Sequence, residues 1–400
     1  MAVSWGGTDV DVVVVGGGIG GLGSALALAR AGLQVRVLEQ ASEFGEVGAG
    51  LQMAPNATRI LRSWELLDQV VAHGVLPRRL VLRDALDGRE LTHLDVADLE
   101  RRYGAPYVVI HRSDLHTILL EACRGAGVDL VTEAAVTGIE IDDEQATAVS
   151  GGRRDTGRLV LAADGLNSRL RRLLSDDEPV SSAYVAYRGT LPVDALPDTS
   201  AHTLDDVVVY IGPTRHFVQY PLRRGEILNQ VAVFRSPRAM AGEPDWGTPD
   251  ELDAAFAGSC EAIRAALPDL WRDRWWRMYD REPISGWVDR RFALTGDAAH
   301  PMLQYLAQGA CQALEDADCL AGQITKHAGA DTSGRNACDW DAALTDYTDL
   351  RTDRTAQVQR IARTWGELWH CDGLFRSVRN AYLSDRDPTD YRHVDWLYRT

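Results

Sequence analysis

The sequence predicts an α/β fold (α+β overall) with a Rossmann-like dinucleotide-binding domain, an inserted antiparallel-sheet domain and a helical C-terminal segment. Three observations support this prediction. The β-branched run Asp11–Val15 leads into a glycine-rich turn and a helical pattern, as a buried parallel strand followed by a helix does. Short alternating runs between Ser181 and Phe234 indicate an antiparallel sheet. A further apolar run, Phe292–Asp297, indicates that the chain then returns to the first domain.

Composition and charge limit the class of protein. The 400 residues are 45% hydrophobic, which predicts a globular chain of two or three domains. The 58 acidic and 42 basic residues give a net charge of −16, which argues against a nucleic acid partner. No apolar run reaches the ~18 residues of a membrane span, and no basic flank marks a signal peptide. The six scattered cysteines suggest a reduced, cytoplasmic protein without a metal site.

The first motif is a complete βαβ unit. Gly16, Gly18 and Gly21 follow the first strand in the spacing Gly-x-Gly-x-x-Gly. Glycines at these positions let the backbone turn tightly and approach a pyrophosphate at the positive end of the next helix. A second strand, residues 34–38, ends at Glu39, which is expected to bind a ribose. The unit predicts a dinucleotide site but does not distinguish NAD from FAD.

The remaining patterns divide the chain into segments. Residues 79–96 alternate around an Asp87-Gly88 turn, which predicts a hairpin, and residues 249–266 predict one helix. Nine of the 11 tryptophans follow residue 240, so the C-terminal third is expected to pack heavily or to form the interface of a homodimer. The predicted segments are 1–176 (dinucleotide domain, with the 76–104 hairpin joining the inserted domain), 177–281 (inserted substrate domain), 282–330 (return segment) and 331–400 (C-terminal helices).

Two later motifs identify the dinucleotide. Asp164-Gly165 follows an apolar strand, and Gly296-Asp297-Ala298-Ala299-His300-Pro301 follows another and precedes a helical pattern. Together with the glycine turn, these make three dispersed motifs. On their basis, residues 11 to about 320 resemble the single-component flavoprotein monooxygenases of the para-hydroxybenzoate hydroxylase type. The resemblance implies noncovalent, tightly bound FAD, with NADH or NADPH as a transient co-substrate.

The resemblance also implies roles for individual residues. It assigns Gly16, Gly18, Gly21 and Glu39 to the ADP half of FAD, Arg112 to its central portion, Asp297 to the ribityl chain, and Asp164 to FAD and the nicotinamide encounter. A helix beginning near residues 307–309, with Gly309 at its start, would direct free N–H groups toward the flavin pyrimidine edge. Simpler alternatives are a helix cap for Asp297, an acidic neighbour for Arg112 and a structural role for His300.

Four stretches carry a closer resemblance, to 3-hydroxybenzoate 6-hydroxylases and salicylate hydroxylases. They are residues 44–52 (FGEVGAGLQ), 184–189 (YVAYRG), 210–221 (YIGPTRHFVQYP) and 300–309 (HPMLQYLAQG). Leu303-Gln304 stands where many members of the wider family carry a second proline, as in the 3-hydroxybenzoate enzymes. Gln40 departs from the basic residue that relatives often place after the ribose glutamate.

The implied reaction needs a base. Such enzymes use O2 to form a flavin C4a-hydroperoxide, which attacks a ring activated by loss of the phenolic proton. A phenol has a pKa near 10, and a histidine with a pKa near 6.5 can accept or relay its proton. Alternation along the strand places His216, Val218 and Tyr220 on one face, so His216 and Tyr220 are candidate catalytic residues. Without the family context, His216 would be interpreted as a core residue.

Two further residues complete the candidate site. Gln304 is expected to hydrogen-bond the phenolic oxygen, and Tyr107 to hold the substrate carboxylate or close the pocket. The predicted function is hydroxylation of a small phenolic acid, 3-hydroxybenzoate-like, para to the phenol. Salicylate or an amino-hydroxybenzoate remains an alternative substrate, and a flavin-binding sensor an alternative class. A flavin-dependent halogenase is disfavoured because its chemistry needs a lysine deep in the protein. The single lysine, Lys326, comes after the helix predicted to begin near residues 307–309.

Overall fold

The computed structural model describes residues 10–45, 48, 50–196, 204–329 and 338–399. Its strands are β1 Val12–Val15, β2 Val35–Leu38, β3 Gly50–Met53, β4 Arg79–Asp84, β5 Glu90–Asp95, β6 Val108–His111, β7 Asp129–Val131, β8 Gly138–Ile141, β9 Ala146–Ser150, β10 Arg153–Gly157, β11 Leu159–Ala162, β12 Val180–Pro192, β13 Asp206–Gly212, β14 Arg215–Leu222, β15 Ile227–Arg235, β16 Trp276–Asp280, β17 Val288–Asp289 and β18 Phe292–Leu294. Its helices are α1 Ile19–Arg30, α2 Pro55–Ser63, α3 Leu67–His73, α4 Ala97–Tyr103, α5 Arg112–Gly125, α6 Pro237–Met240, α7 Pro249–Phe256, α8 Glu261–Ala266, α9 Gly309–Lys326, α10 Trp340–His370, α11 Gly373–Ser384 and α12 Arg392–Tyr398.

A mostly parallel sheet carries the glycine-rich turn. Its strand order is β17-β18-β11-β1-β2-β7, and β17 alone pairs antiparallel. The four valines of β1 are almost completely buried because helices cover this sheet, which explains their continuous apolar run. Helices α1, α5 and α9 pack together beside it. The return of the chain through β18 confirms the expected α/β class.

A seven-stranded sheet forms the second layer, in the order β16-β12-β15-β14-β13-β4-β5. Strands β12 to β15 correspond to the predicted alternating runs. The β4–β5 hairpin extends this sheet through a parallel pairing of β4 with β13. Helices α7 and α8 cover one face, where Phe217, Phe234 and Phe256 form a separate core.

The single helix predicted over residues 249–266 is wrong. The chain leaves helical geometry after α7, and the Cys260 N–H donates to the Ala85 carbonyl oxygen at 2.8 Å instead of continuing the helix. A new helix, α8, then begins at Glu261. The contact to Ala85 joins positions far apart in sequence, so the periodicity of the segment did not reveal the break.

Helices follow the return segment. The 31-residue α10 packs against α9, while α11 contacts the β5 edge and α12 contacts α2. Within the described ranges, no helix is both long and apolar enough to cross a membrane. The sequence did not predict the small sheets β8–β10 and β3–β6. The domain boundaries drawn from the sequence stay a prediction.

Candidate active site

A cavity of about 1490 Å³ lies between the parallel and antiparallel sheets and the C-terminal helices. It exceeds the ~300–1,000 Å³ of ordinary small-molecule pockets. Eleven of the twelve residues singled out from the sequence line this cavity, and Gly21 does not. The eleven are Gly16, Gly18, Glu39, Tyr107, Arg112, Asp164, His216, Tyr220, Asp297, Gln304 and Gly309. The fold therefore brings residues from distant parts of the chain to one space.

The glycine turn forms one end of the cavity. Gly16 has a φ of +110°, a conformation that L side chains rarely adopt, and a Cβ there would collide with the Ala163 carbonyl oxygen. A Cβ on Gly21 would collide with the carbonyl oxygen of Gly16. Gly21 therefore permits close packing behind the turn, whereas Gly16 and Gly18 face the cavity.

Glu39 closes the turn from the end of β2. Its carboxylate accepts hydrogen bonds from the Gly17 N–H at 2.7 Å and the Ala41 N–H at 2.9 Å. A carboxylate has about four acceptor sites, so hydroxyl donors from a ligand can still bind. The side chain lines the cavity beside the turn, where the sequence predicts a ribose.

Two charged side chains, Arg112 and Asp297, also line the cavity. Burial lowers the pKa of Arg112, at the start of α5, while the nearby Asp297 carboxylate raises it. Asp297 lies within a short 3₁₀ turn and is not the residue that caps α9, because that position is occupied by Gln308. A Cβ on Gly309 would lie 3.8 Å from Asp297 Oδ1, so the carboxylate adjoins the positive end of α9.

Two unpaired polar atoms indicate that the cavity holds a polar ligand. Asp164 Oδ1 and Gln308 Nε2 are buried without a hydrogen-bond partner among the described residues, and both residues line the cavity. Burial also raises the pKa of Asp164. Buried polar atoms left without partners are costly, so a ligand that supplies partners binds favourably. The chemistry of these groups and the glycine turn fit a dinucleotide.

A buried ionic network supports the Gly296-Asp297 turn. Asp316 accepts hydrogen bonds from His300 Nε2 at 2.5 Å, the Gly296 N–H at 2.9 Å and Arg351 Nε at 2.8 Å. Although burial opposes ionisation, His300 and Arg351 hold the pKa of Asp316 at about 2. His300 is absent from the cavity lining, so its contacts are those of a structural residue.

Strand β14 places its alternating residues as the sequence predicts. His216, Val218 and Tyr220 line the cavity, while Phe217 points into the core on the other side of the sheet. Burial lowers the pKa of His216 well below its usual range, and His370 lowers it further. The imidazole is therefore neutral near pH 7, the state in which it can accept a proton.

His370 is a residue that sequence reasoning missed. At the end of α10, its Nε2 lies 2.8 Å from His216 Nδ1, and the two ring planes are 20° apart, as an in-plane N–H···N hydrogen bond requires. Tyr305 and Trp369 also contact the His216 ring. No local motif surrounds His370, and 154 positions separate the two histidines, so only the fold reveals the pair.

Arg188 is the second residue missed, although it belongs to the YVAYRG stretch. It lines the cavity, its guanidinium lies 5.1 Å from the Trp276 ring centroid, and its Nε has no hydrogen-bond partner in the described structure. Burial lowers the pKa of Arg188, while Tyr220 raises it. A half-buried arginine in a cavity wall, with a buried Nε that lacks a partner in the described structure, favours an anionic ligand.

The other two candidates differ in how they are held. The Tyr107 hydroxyl donates to Gln52 Oε1 at 2.8 Å, so it already has a partner. Gln304 lies in the short 3₁₀ turn Gln304–Leu306 before α9, where it is half-buried and lines the cavity. Gln304 is therefore the freer of the two to bind a ligand.

Comparison with known proteins identifies the family. The family model described as FAD binding domain matches residues 9–358. The chain is 36% identical over 396 residues to 3-hydroxybenzoate 6-hydroxylase of Polaromonas naphthalenivorans (strain CJ2), covering 98% of this chain and 96% of that protein. It is 35% identical over 395 residues to 3-amino-4-hydroxybenzoate 2-monooxygenase of Streptomyces cremeus, covering 98% and 95%.

A solved structure gives the same result. The crystal structure of Klebsiella pneumoniae HpxO with FAD and uric acid aligns with a TM-score of 0.83 at 25% identity, covering 97% of this chain and 95% of that chain. The resemblance found in the sequence is therefore confirmed, as is FAD as the cofactor. The chain belongs to the FAD binding domain family and is an FAD-dependent aromatic hydroxylase.

Proposed function

We propose that this protein hydroxylates a small phenolic acid of the 3-hydroxybenzoate type, para to the phenolic oxygen, with O2 and NAD(P)H as co-substrates. The observation that carries the proposal is the buried, neutral His216 in the cavity wall on the same strand face as Tyr220. The names of the similar hydroxybenzoate hydroxylases support the substrate class.

The cofactor would occupy the cavity from the glycine turn to the start of α9. Gly16, Gly18 and Glu39 would hold the ADP half, and Arg112, Asp164 and Asp297 the remainder. Bound FAD supplies the redox chemistry that activates O2. The N–H groups at the start of α9 would stabilise negative charge that develops on bound flavin.

The protein's own task is to ionise and orient the ring. His216 accepts the phenolic proton, because a phenol with a pKa near 10 is mostly neutral at pH 7 and reacts slowly in that form. Arg188 stabilises the resulting anion or the substrate carboxylate, and Gln304 hydrogen-bonds the phenolic oxygen. Tyr107 and Tyr220 close the pocket around the ring.

The experiment compares His216→Ala with a control, His73→Ala, which changes an exposed histidine outside the cavity lining. The His216 variant is expected to bind FAD and to be reduced by NADH, yet to form about 10²–10⁴-fold less product from 3-hydroxybenzoate. Hydrogen peroxide should rise in proportion. Unchanged product yield in this variant would remove His216 from the proposed mechanism.

Other substrates are the principal alternative. The relative from Streptomyces cremeus is named for 3-amino-4-hydroxybenzoate, and the sequence also resembles salicylate hydroxylases. NADH oxidation measured with each acid, followed by chromatography of the product, distinguishes them. FAD binding without turnover on any phenol would instead favour a sensor.

We also propose a cytoplasmic homodimer. The exposed face of α11 supports an interface, because four large apolar side chains on it are more than half exposed, namely Leu374, Phe375, Val378 and Tyr382. Light scattering of the FAD-loaded protein tests the dimer, and a monomer at micromolar concentration would contradict it.

A further inference from the structure

The contact between His216 and His370 determines which nitrogen of His216 can act as the base. His216 Nδ1 is occupied by His370 Nε2 at 2.8 Å, whereas His216 Nε2 makes no hydrogen bond within the described residues. The His216 ring lines the cavity, but His370 does not. Of the two histidines, His216 therefore faces the cavity, and His370 contacts it from the side away from the cavity.

Hydrogen-bond chemistry restricts the proton positions in this pair. Two neutral imidazoles can share one hydrogen bond only if one nitrogen carries the hydrogen and the other does not. When His216 donates from Nδ1, its Nε2 keeps a lone pair for the substrate, and His370 must carry its own hydrogen on Nδ1. The opposite arrangement would place the hydrogen of His216 on Nε2 and prevent it from acting as a base.

We infer that His370 is a positioning residue that holds His216 in the base-competent tautomer. This inference rests on the proposed hydroxylase function. The phenolic O–H bond breaks and the proton binds His216 Nε2, while the Nδ1–H of His216 stays hydrogen-bonded to His370 Nε2. The phenolate and the His216 imidazolium then form an ion pair, and the neutral His370 accepts the hydrogen bond of the imidazolium.

The surroundings fix the geometry of His370. Its ring stacks on Tyr184 with centroids 4.6 Å apart and contacts the edge of Tyr305 at 5.5 Å. The carbonyl oxygen of His370 accepts a hydrogen bond from the Thr214 N–H at 3.1 Å, which ties it to the start of β14. The side chain is therefore held on both faces and cannot turn away from His216 without losing these contacts.

Charged groups oppose protonation of His370. Arg235 on β15 and Arg379 on α11 face the ring, Tyr184 and Tyr305 are the titratable groups in contact, and Glu367 lies on the same helix. Burial and the two arginines lower the pKa of His370 to about 3. The C-terminal end of α10 has the opposite effect, since helix C-termini attract cations. His370 is thus neutral, and in this state its Nε2 can accept the hydrogen bond from His216 Nδ1.

The test measures ionisation of a bound phenol directly. The FAD-loaded enzyme is titrated from pH 5 to 10 with bound 3-hydroxy-4-nitrobenzoate, whose phenolate absorbs visible light. In the wild type, the pKa of the bound phenol should lie below its value in solution. His370→Phe should raise this bound pKa by about one unit, a roughly tenfold loss comparable to one hydrogen bond, while FAD content stays near wild type and the melting temperature falls because His216 Nδ1–H loses its buried partner.

Conservative and double variants separate positioning from packing. His370→Gln offers an amide oxygen to the Nδ1 hydrogen of His216, so the bound pKa and the hydroxylation rate should both return toward wild type. In a His216→Ala background, His370→Phe should cause no further shift, because its effect passes through His216. The control His73→Gln should match the wild type.

The outcomes distinguish this inference from the proposed function. If His216→Ala leaves the bound pKa unchanged, His216 is not the base, and the inference falls with that part of the proposed function. If His216→Ala shifts the bound pKa but His370→Phe does not, or if the two shifts add in the double variant, the inference about His370 alone is overturned. If His370→Phe loses FAD, His370→Gln decides by the same titration.

Discussion

Burial of His370 predicts that acid destabilises the folded chain. Its pKa is about 3 in the folded protein, because of burial and two arginines, and near 6.5 when unfolded. The unfolded chain therefore binds one more proton between these values, so the free energy of unfolding decreases as pH falls below about 6.5. One proton changes this free energy by about 1.36 kcal/mol per pH unit, but only below about pH 6.5, where the unfolded chain holds the extra proton. The loss between pH 8 and pH 5 is therefore about 2 kcal/mol.

Substitution of His370 isolates this contribution. His370→Gln removes one titrating group, so its free energy of unfolding should fall by about 2 kcal/mol less than that of wild type between pH 8 and pH 5. The measurement is urea unfolding at both pH values, followed by tryptophan fluorescence, with His73→Gln as the control. Comparing two pH values within each variant cancels any pH-independent cost of the substitution. A variant with the same pH dependence as wild type would refute the argument that His370 is buried in its neutral form.

Three further substitutions test the site and its support. Gln304→Ala should lower the hydroxylation rate or misdirect the product without abolishing it, since one hydrogen bond contributes about 0.5–1.5 kcal/mol; chromatography that shows an unchanged rate and product would contradict this role. Arg188→Met should weaken binding of 3-hydroxybenzoate by at least about 2 kcal/mol but affect an uncharged phenol less, as measured by titration of flavin absorbance; equal effects would exclude a charge interaction. Asp316→Asn should destabilise the protein by about 3 kcal/mol, because Arg351 and His300 lose a buried partner; an unchanged melting temperature would show that the network contributes little.

Local sequence patterns determined the framework of this protein. The glycine spacing fixed the turn after β1, since Gly16 adopts a φ of +110° that other residues rarely reach. Period-two alternation in β14 correctly separated His216 and Tyr220, which line the cavity, from Phe217, which enters the core. These features depend on neighbours within a few positions, so periodicity and turn chemistry are sufficient to predict them.

The tertiary structure alone decided which partners these residues meet. His370 lies 154 positions from His216, and Arg351 lies 35 positions from Asp316, yet each pair forms a short buried hydrogen bond. Arg188 was visible in a family-like stretch, but its position in the cavity wall depends on how β12 packs. Such contacts arise when whole elements pack, and the energy of a buried polar group depends on the partners that packing provides. A local pattern therefore identifies the residue that enters the cavity, while the fold sets its hydrogen-bond partners and the direction in which its pKa shifts.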